Sequence, residues 1–386
     1  MPETLPAASW TRRADLADLV AALGPGNARY VGGAVRDTLL GLEAKDVDIA
    51  TPLEPAEVIA RLDAAGVRSV PTGLKHGTVT AIREHGNVEV TTLRRDVATD
   101  GRRAEVAFSH DWREDAARRD FTINALYADP LSLELFDGFG GLDDLRARRV
   151  RFIGDARQRI REDHLRILRY FRFQARFGSS PADAEAESAC AELAPSLKGL
   201  SRERVGWEVL NLLALPDPAP TVARMAELGV LPVILPEADP AALAALVAAE
   251  RAQDVEPDPL RRLAALLPAD PALAEQVAAR LRLSVAQRKR LALAARRERG
   301  EPRALAYRFG RDAAIDAVLL SGGRVAPLDG WDPPTFPLKG GAIVARGVAA
   351  GPEVARILQA VEARWIAEGF PDEARVNALL DEQLAD

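Results

Sequence analysis

Residues 29–51, RYVGGAVRDTLLGLEAKDVDIAT, carry two features that together constrain the rest of the chain. The first is the pair Gly32 and Gly33, after the apolar Tyr30-Val31 and before a helix-like run, Ala34 to Leu40, that Gly41 ends. A strand, a glycine turn and a helix start leave backbone N–H groups pointing outward at the positive end of the helix dipole, which makes a cradle for phosphate. The second feature is Asp46-Val47-Asp48-Ile49. Side chains alternate along a strand, so Asp46 and Asp48 are predicted on one face and Val47 and Ile49 on the other. Two adjacent carboxylates repel unless a cation lies between them, and hard oxygen donors select Mg²⁺. Cradled phosphate beside Mg²⁺ is the arrangement for phosphoryl or nucleotidyl transfer.

Composition sets the outer bounds. At 386 residues, 48% hydrophobic and 28% charged, the chain has the material for two or three soluble domains. No uninterrupted apolar run approaches a membrane span, and residues 1–20 lack the basic-then-apolar layout of a secretion signal. The single Cys190 excludes an intrachain disulfide and a Cys-rich zinc site. A cytoplasmic location, away from membranes, is expected. A net charge of −6 argues against a broad grip on nucleic acid, and no DNA partner is expected, but a local basic groove remains open. Most of the positive charge is Arg, the better bidentate phosphate ligand.

Along the chain, residues 14–23 have the apolar spacing of an amphipathic helix, and 55–65 read as another. Val79 to Ile82 and Val88 to Thr92 read as strands about a turn at Glu84 to Asn87. Glu89 is a candidate third carboxylate beside the metal pair. Residues 96–114, polar and Gly-containing, read as a mobile loop. In the run from Arg118 to Ala125, the adjacent Arg118 and Arg119 suit a triphosphate or a primer phosphate. Asp120 and Asn124, spaced one helical turn apart, can hydrogen-bond a ribose hydroxyl. Residues 126–144 read as a hairpin that closes the first sheet. From Arg146 helical spacing takes over. Ile160 to Phe177 read as one helix with Ile160, Ile167, Leu168, Phe171 and Ala175 on its apolar face. Arg166, Arg169, Arg172 and Arg176 lie opposite, with Asp163 at the edge. A helix over 197–213 is expected to take Ser201 as its N-cap.

Four stretches, in this order, resemble one family. They are GGAVRD followed by DVD, then TGLKHGT at 72–78, RRDFTINA at 118–125 and EDHLR at 162–166. Together they are similar to the head and neck signatures of class II tRNA nucleotidyltransferases and bacterial poly(A) polymerases, within the polymerase-β-like superfamily. The resemblance is strongest over 28–213. It implies an α+β fold, a small mixed β-sheet head followed by an all-α neck, body and tail, with head 1–145, neck 146–213, body 214–300 and tail 301–386. It implies attack of an RNA 3′-hydroxyl on CTP or ATP, with pyrophosphate leaving. Asp46 and Asp48 would hold Mg²⁺, with Glu89 as a third carboxylate. Gly32, Gly33, Arg36, Arg118 and Arg119 would hold triphosphate, and Asp120 and Asn124 would read ribose. Asp163 and Arg166 would read the base, helped by Arg169 and Arg172. The tail, through the Gly-rich segment 337–365, would reach distal tRNA. Addition of CCA to tRNA is preferred over a poly(A) polymerase, which a more basic chain would suit, and over a CC-only enzyme. The intact Asp pair speaks against a catalytically inactive RNA-binding module.

Overall fold

The structure, a computed structural model, describes residues 4–44, 46–99 and 104–385, and it divides into two compact units, Met1–Pro236 and Glu237–Asp386. The fold is α+β, with every strand of the described residues in the first unit.

In that unit α1 (Ala14–Leu23) leads into β1 (Arg29–Val31), and Gly32, at φ +69°, turns the chain straight into α2 (Gly33–Leu39). A side chain at Gly32 would be strained by that φ. There follow β2 (Asp48–Thr51), α3 (Pro55–Ala64), β3 (Ser69–Gly73), β4 (Thr78–Ala81) and β5 (Val88–Thr92). Next come β6 (Arg94–Thr99), β7 (Ala104–Phe108), α4 (Trp112–Ala117), β8 (Leu126–Ala128) and β9 (Leu135–Asp137). Seven strands form a mixed sheet in the order β3-β4-β5-β2-β1-β8-β9, with only β2 and β5 parallel. Ile49, Val79, Val88 and Val90 are fully buried, as are Val58 and Leu62 of α3 and Leu19 and Leu23 of α1.

Two sequence expectations are corrected here. Asp46 does not share a strand with Asp48, because β2 begins at Asp48 itself and Asp46 lies in the approach to it. The stretch 96–114 is not an irregular loop. Its described residues form a ribbon, β6 against β7, followed by a helix that Asp111 caps by accepting from Arg113 N–H. Residues 100–103 of that stretch lie outside the described residues. A ribbon apart from the main sheet need not alternate apolar and polar residues, so its sequence signal is weak.

The helices that follow are α5 (Gly141–Arg146), α6 (Ala156–Glu162), α7 (Arg166–Phe177), α8 (Ala184–Leu193), α9 (Arg202–Leu213), α10 (Ala219–Glu227) and α11 (Leu231–Ile234). Ile160 to Phe177 is thus two helices. Asp163 is extended (φ −151°, ψ 105°), and its side chain accepts from Leu165 N–H at 3.2 Å while its carbonyl accepts from Arg166 N–H. Asp competes with the helix for backbone donors, which is why it starts α7 rather than continuing α6. The apolar face is buried as expected through Ile160, Ile167, Leu168 and Phe171, and Tyr170, Phe173 and Phe177 extend it. Ser201 stands at the N-cap of α9 without a side-chain cap bond, and residues 194–199 before it form a 3-10 helix.

The regular elements among the second unit's described residues are all helices, chiefly α12 (Pro240–Ala252), α13 (Pro259–Leu266), α14 (Pro271–Arg280), α15 (Val285–Ala295), α16 (Pro302–Phe309), α17 (Arg311–Leu320), α18 (Gly340–Val344), α19 (Pro352–Ala367) and α20 (Glu373–Ala385). Asp239, Asp258 and Asp270 each cap a helix whose first residue is Pro, the local code for a sharp start. No helix among the described residues is long and apolar enough to cross a membrane.

Candidate active site

The carboxyl end of β1, the start of α2, the approach to β2, the turn after α4 and the first turns of α7 and α9 enclose a cleft of about 660 Å³ in the first unit. Gly32, Gly33, Arg36, Asp46, Asp48, Arg118, Arg119, Asp120, Asn124, Asp163, Arg166, Arg169 and Arg172 all line it. Segments from Gly32 to Arg204, far apart in sequence, are thereby brought together. Glu89 is not among the lining residues. It sits on β5 directly across the parallel register from Asp48 and is exposed.

At the floor, Asp46 is exposed and Asp48 half-buried. Burial first, then the charges of Glu89 and Asp46, against the pull of Arg119, push the Asp48 carboxyl up to about 6. Among the described residues no group of three or more His, Cys, Asp or Glu side chains is disposed to hold a metal ion, so the Asp pair is the candidate donor set. Its chemistry, two hard carboxylates, fits a divalent cation.

The four Arg residues that share a face of α7 are each held by an acid. Arg169 donates through Nε and Nη2 to Asp120 Oδ2 at 2.8 and 2.6 Å, and Arg172 through Nε to Glu208 at 2.6 Å. Arg166 donates to Glu162 at 2.7 Å and to the carbonyls of Arg159 and Arg118. Arg176 reaches Asp37 at 3.3 Å. Phe173, at the back of the cleft, has the guanidinium carbons of Arg36, Arg169 and Arg172 at 5.3, 5.4 and 4.9 Å from its ring centre, a cation–π cluster that fixes their planes.

Asp120 and Asn124 are not one turn apart on an α-helix. The chain is extended at Phe121 and then makes a 3-10 turn, Thr122–Asn124. The two side chains nonetheless meet, with Asn124 Nδ2 donating to Asp120 Oδ1 at 3.0 Å. Asp120 also accepts from Phe121 N–H and from Arg169, and Asn124 Oδ1 accepts from Arg36. Burial raises the Asp120 carboxyl, but Arg169 and the Asn124 bond outweigh it and hold it down at about 2. A carboxylate depressed in the native state contributes stability above its unfolded value, and the contribution is lost as pH falls. The Asp120 contribution, on the order of 2 kcal/mol, is therefore expected to be intact above about pH 4 and to be lost as pH falls from about 4 to 2, lowering the melting temperature across that range. Arg169→Ala should flatten that acid limb. Circular dichroism melts of both proteins across the range test it, and identical acid limbs would count against the Asp120 assignment.

A sequence profile described as the Poly A polymerase head domain matches residues 28–151, and one described as the probable RNA and SrmB-binding site of polymerase A matches 183–242. The mitochondrial CCA tRNA nucleotidyltransferase 1 of Mus musculus is 36% identical over 365 residues, a match covering 89% of this chain and 83% of that one. The chain belongs to the CCA tRNA nucleotidyltransferase family. The Bacillus stearothermophilus CCA-adding enzyme, solved in complex with CTP, superposes with a TM-score of 0.71 at 26% identity, covering 96% of this chain and 97% of that one. The Thermotoga maritima CCA-adding enzyme, solved complexed with tRNA-CCA, shares the fold with a TM-score of 0.68 at 21% identity, covering 97% and 98%.

The chain brings residues of the GGAVRD, DVD, RRDFTINA and EDHLR stretches to one cleft, whereas none of 72–78 lines it, and it places there residues that motif reading passes over. Arg204 on α9 lines the cleft and donates to Asp163 Oδ2 at 2.7 Å. Phe173 and Leu165 complete the lining. Glu208, 1% exposed, and Asp115, 1% exposed, hold the cleft arginines from behind. Their sequence signal is faint: an acid at an otherwise buried helix position has to be paired, and a chain rich in arginine offers many partners.

Proposed function

We propose that the chain adds C, C and A to the 3′ end of tRNA without a nucleic-acid template, taking CTP and ATP and releasing pyrophosphate. The observation that carries this reading is the single cleft in which a carboxylate pair faces several cation-bearing side chains, within a chain that matches CCA tRNA nucleotidyltransferases along most of its length. Gly32, Gly33 and Arg36, with Arg118 and Arg119, would bind the triphosphate. Asp46 and Asp48 would hold Mg²⁺, with Glu89 beside them. Bound there, the metal supplies a lowered pKa at the RNA 3′-hydroxyl and charge neutralisation on the triphosphate.

Asp163 and Arg166 would take the base. The two no longer share a helix, but both line the cleft at the break between α6 and α7. The ribose contact falls to Asn124. The donors already on Asp120 fill the acceptor sites of its carboxylate, whereas the Asn124 amide keeps a second N–H. Asp120 then orients Asn124. A site built to bond a hydroxyl rejects the analogue lacking it, so CTP should exceed dCTP in kcat/KM by on the order of tenfold to a hundredfold or more. Equal use of dCTP would assign these two residues elsewhere. The four parts expected from the sequence, head, neck, body and tail, are a finer division than the two compact units, and in this reading the tail contacts tRNA. The cytoplasm is the compartment read from the sequence, although the mouse relative is named as mitochondrial.

One assay addresses the reaction. Purified protein is incubated with tRNA lacking CCA, with tRNA ending in C or in CC, and with oligo(A), each with labelled CTP or ATP. Addition of two C and then one A to the first, with none to oligo(A), is expected. Extension of oligo(A) instead would identify a poly(A) polymerase, and arrest after CC a CC-only enzyme.

A further inference from the structure

Asp115 ends up behind the cleft and does not line it, yet it touches both arginines of the Arg118-Arg119 pair. It lies on α4, three and four residues before them, so its side chain and theirs emerge on the same side. Its Oδ1 accepts from Arg118 Nε at 2.9 Å and pairs with Arg118 Nη2 at 2.8 Å. Its Oδ2 accepts from Arg119 Nη2 at 3.0 Å and from Tyr127 Oη at 2.7 Å. Arg119 Nε also reaches Tyr127 Oη, at 3.2 Å. Arg94 N–H, at the root of the β6–β7 ribbon, donates to Oδ1 at 3.2 Å.

Two neighbouring guanidinium groups repel and, left alone, swing apart into water. A buried carboxylate between them cancels one of the two charges and grips each by its inner edge. Both arginines line the cleft, and Arg119 Nη1 comes within 3.6 Å of the point a Cβ on Gly32 would occupy. We propose that Asp115 is a positioning residue that aims Arg118 and Arg119 at the polyphosphate of the incoming nucleotide. This rests on the nucleotidyl-transfer reading of the cleft. It makes a specific statement: Asp115 sets affinity for the triphosphate and for the leaving pyrophosphate, and not affinity for RNA. It also ties the β6–β7 ribbon to the same carboxylate, so the ribbon root and the phosphate-binding arginines are fixed by one group.

The test uses Asp115→Asn and Asp115→Glu in the full chain. Asn keeps the shape but accepts through one oxygen and turns N–H groups toward an arginine, and Glu displaces the carboxylate by a methylene. Binding of labelled CTP with Mg²⁺, and its competition by inorganic pyrophosphate, are measured without RNA, and the KM for tRNA is measured separately. Asp115→Asn is expected to weaken CTP and pyrophosphate in parallel by about tenfold or more, and Asp115→Glu by about threefold or more, with the KM for tRNA within about twofold. A purely structural role would lower the melting temperature and the active fraction while leaving both affinities where they were, and that result in either folded variant overturns the proposal. Tyr127→Phe removes a hydroxyl from the same network and leaves the carboxylate on both arginines, so its CTP affinity should stay within about twofold. A loss as large as that of Asp115→Asn would place the positioning role in the hydroxyl and also overturn the proposal. If wild type binds CTP and pyrophosphate but extends no RNA, the reaction reading fails while the Asp115 comparison still stands.

Discussion

Replacement of Asp48 by Asn is expected to abolish nucleotide addition and, in metal-free buffer near neutral pH, to raise the melting temperature. The loss follows from the donor set. With one carboxylate of the Asp46–Asp48 pair gone, the Mg²⁺ proposed to sit there would lose a charged ligand, and the lowered pKa it would supply at the 3′-hydroxyl would be lost. Asp46→Ala should do the same. The stability gain follows from the electrostatics. Burial, with Glu89 and Asp46 nearby, moves the Asp48 carboxyl from its ordinary 3.8 to about 6. For an acid raised in the native state, the folded protein holds the extra proton, so stability falls as pH climbs from about 4 through 6. Above that range the ionised carboxylate costs up to about 3 kcal/mol, and Asn removes the cost. The gain should vanish near pH 4, where wild-type Asp48 is protonated, and wild type should recover stability when Mg²⁺ is added while the variant does not. Paired melts at both pH values, with and without Mg²⁺, measure this. Retention of more than a few per cent of activity in Asp46→Ala or Asp48→Asn would end the metal assignment.

The parts of the site that were legible in the sequence are those where the backbone itself must do something unusual or where like charges sit together. Gly32 needs positive φ, and the Asp46-x-Asp48 spacing survives even though only Asp48 belongs to the strand. Helix breaks were harder to read. Ile160 and Ile167 fall on a common face whether or not a turn is broken between them, so periodicity cannot see the stop at Asp163. The arginine partners were harder still. Arg172 meets Glu208 on another helix, 36 residues on, and Arg169 meets Asp120, 49 residues back. Nothing local marks those pairings, because they are set by how α7 packs against α9 and against the turn after α4. What the sequence could not show about α7 is that its four arginines are each held by a buried acid, with Phe173 beside Arg169 and Arg172.

The other large effect is choice of base. Asp163 is extended between α6 and α7, with Arg204 on one oxygen and Leu165 N–H on the other, and Arg166 is held by Glu162 and two carbonyls. In the proposed reading, the cleft presents the base with an acceptor edge from Asp163 and a donor edge from Arg166. An ionised Asp only accepts and Arg only donates. Cytosine offers its N4 amino donor beside the N3 acceptor, and adenine its N6 amino donor beside the N1 acceptor, so both suit the pair after a small shift. Uracil sets O4 against the carboxylate and N3–H against the guanidinium, and guanine repeats both mismatches through O6 and N1. Each mismatch buries a polar group without a partner, at roughly 1–3 kcal/mol, so two imply discrimination of about a hundredfold or more. Wild type is therefore expected to use CTP and ATP and to reject UTP and GTP. Asp163→Ala removes the acceptor, leaves the triphosphate arginines in place, and should erode that rejection by about tenfold or more while changing pyrophosphate inhibition little. Single-turnover incorporation with all four nucleotides reads the ranking directly. If the variant keeps the wild-type order, or if wild type takes UTP as readily as CTP, the base is read by some other part of the cleft.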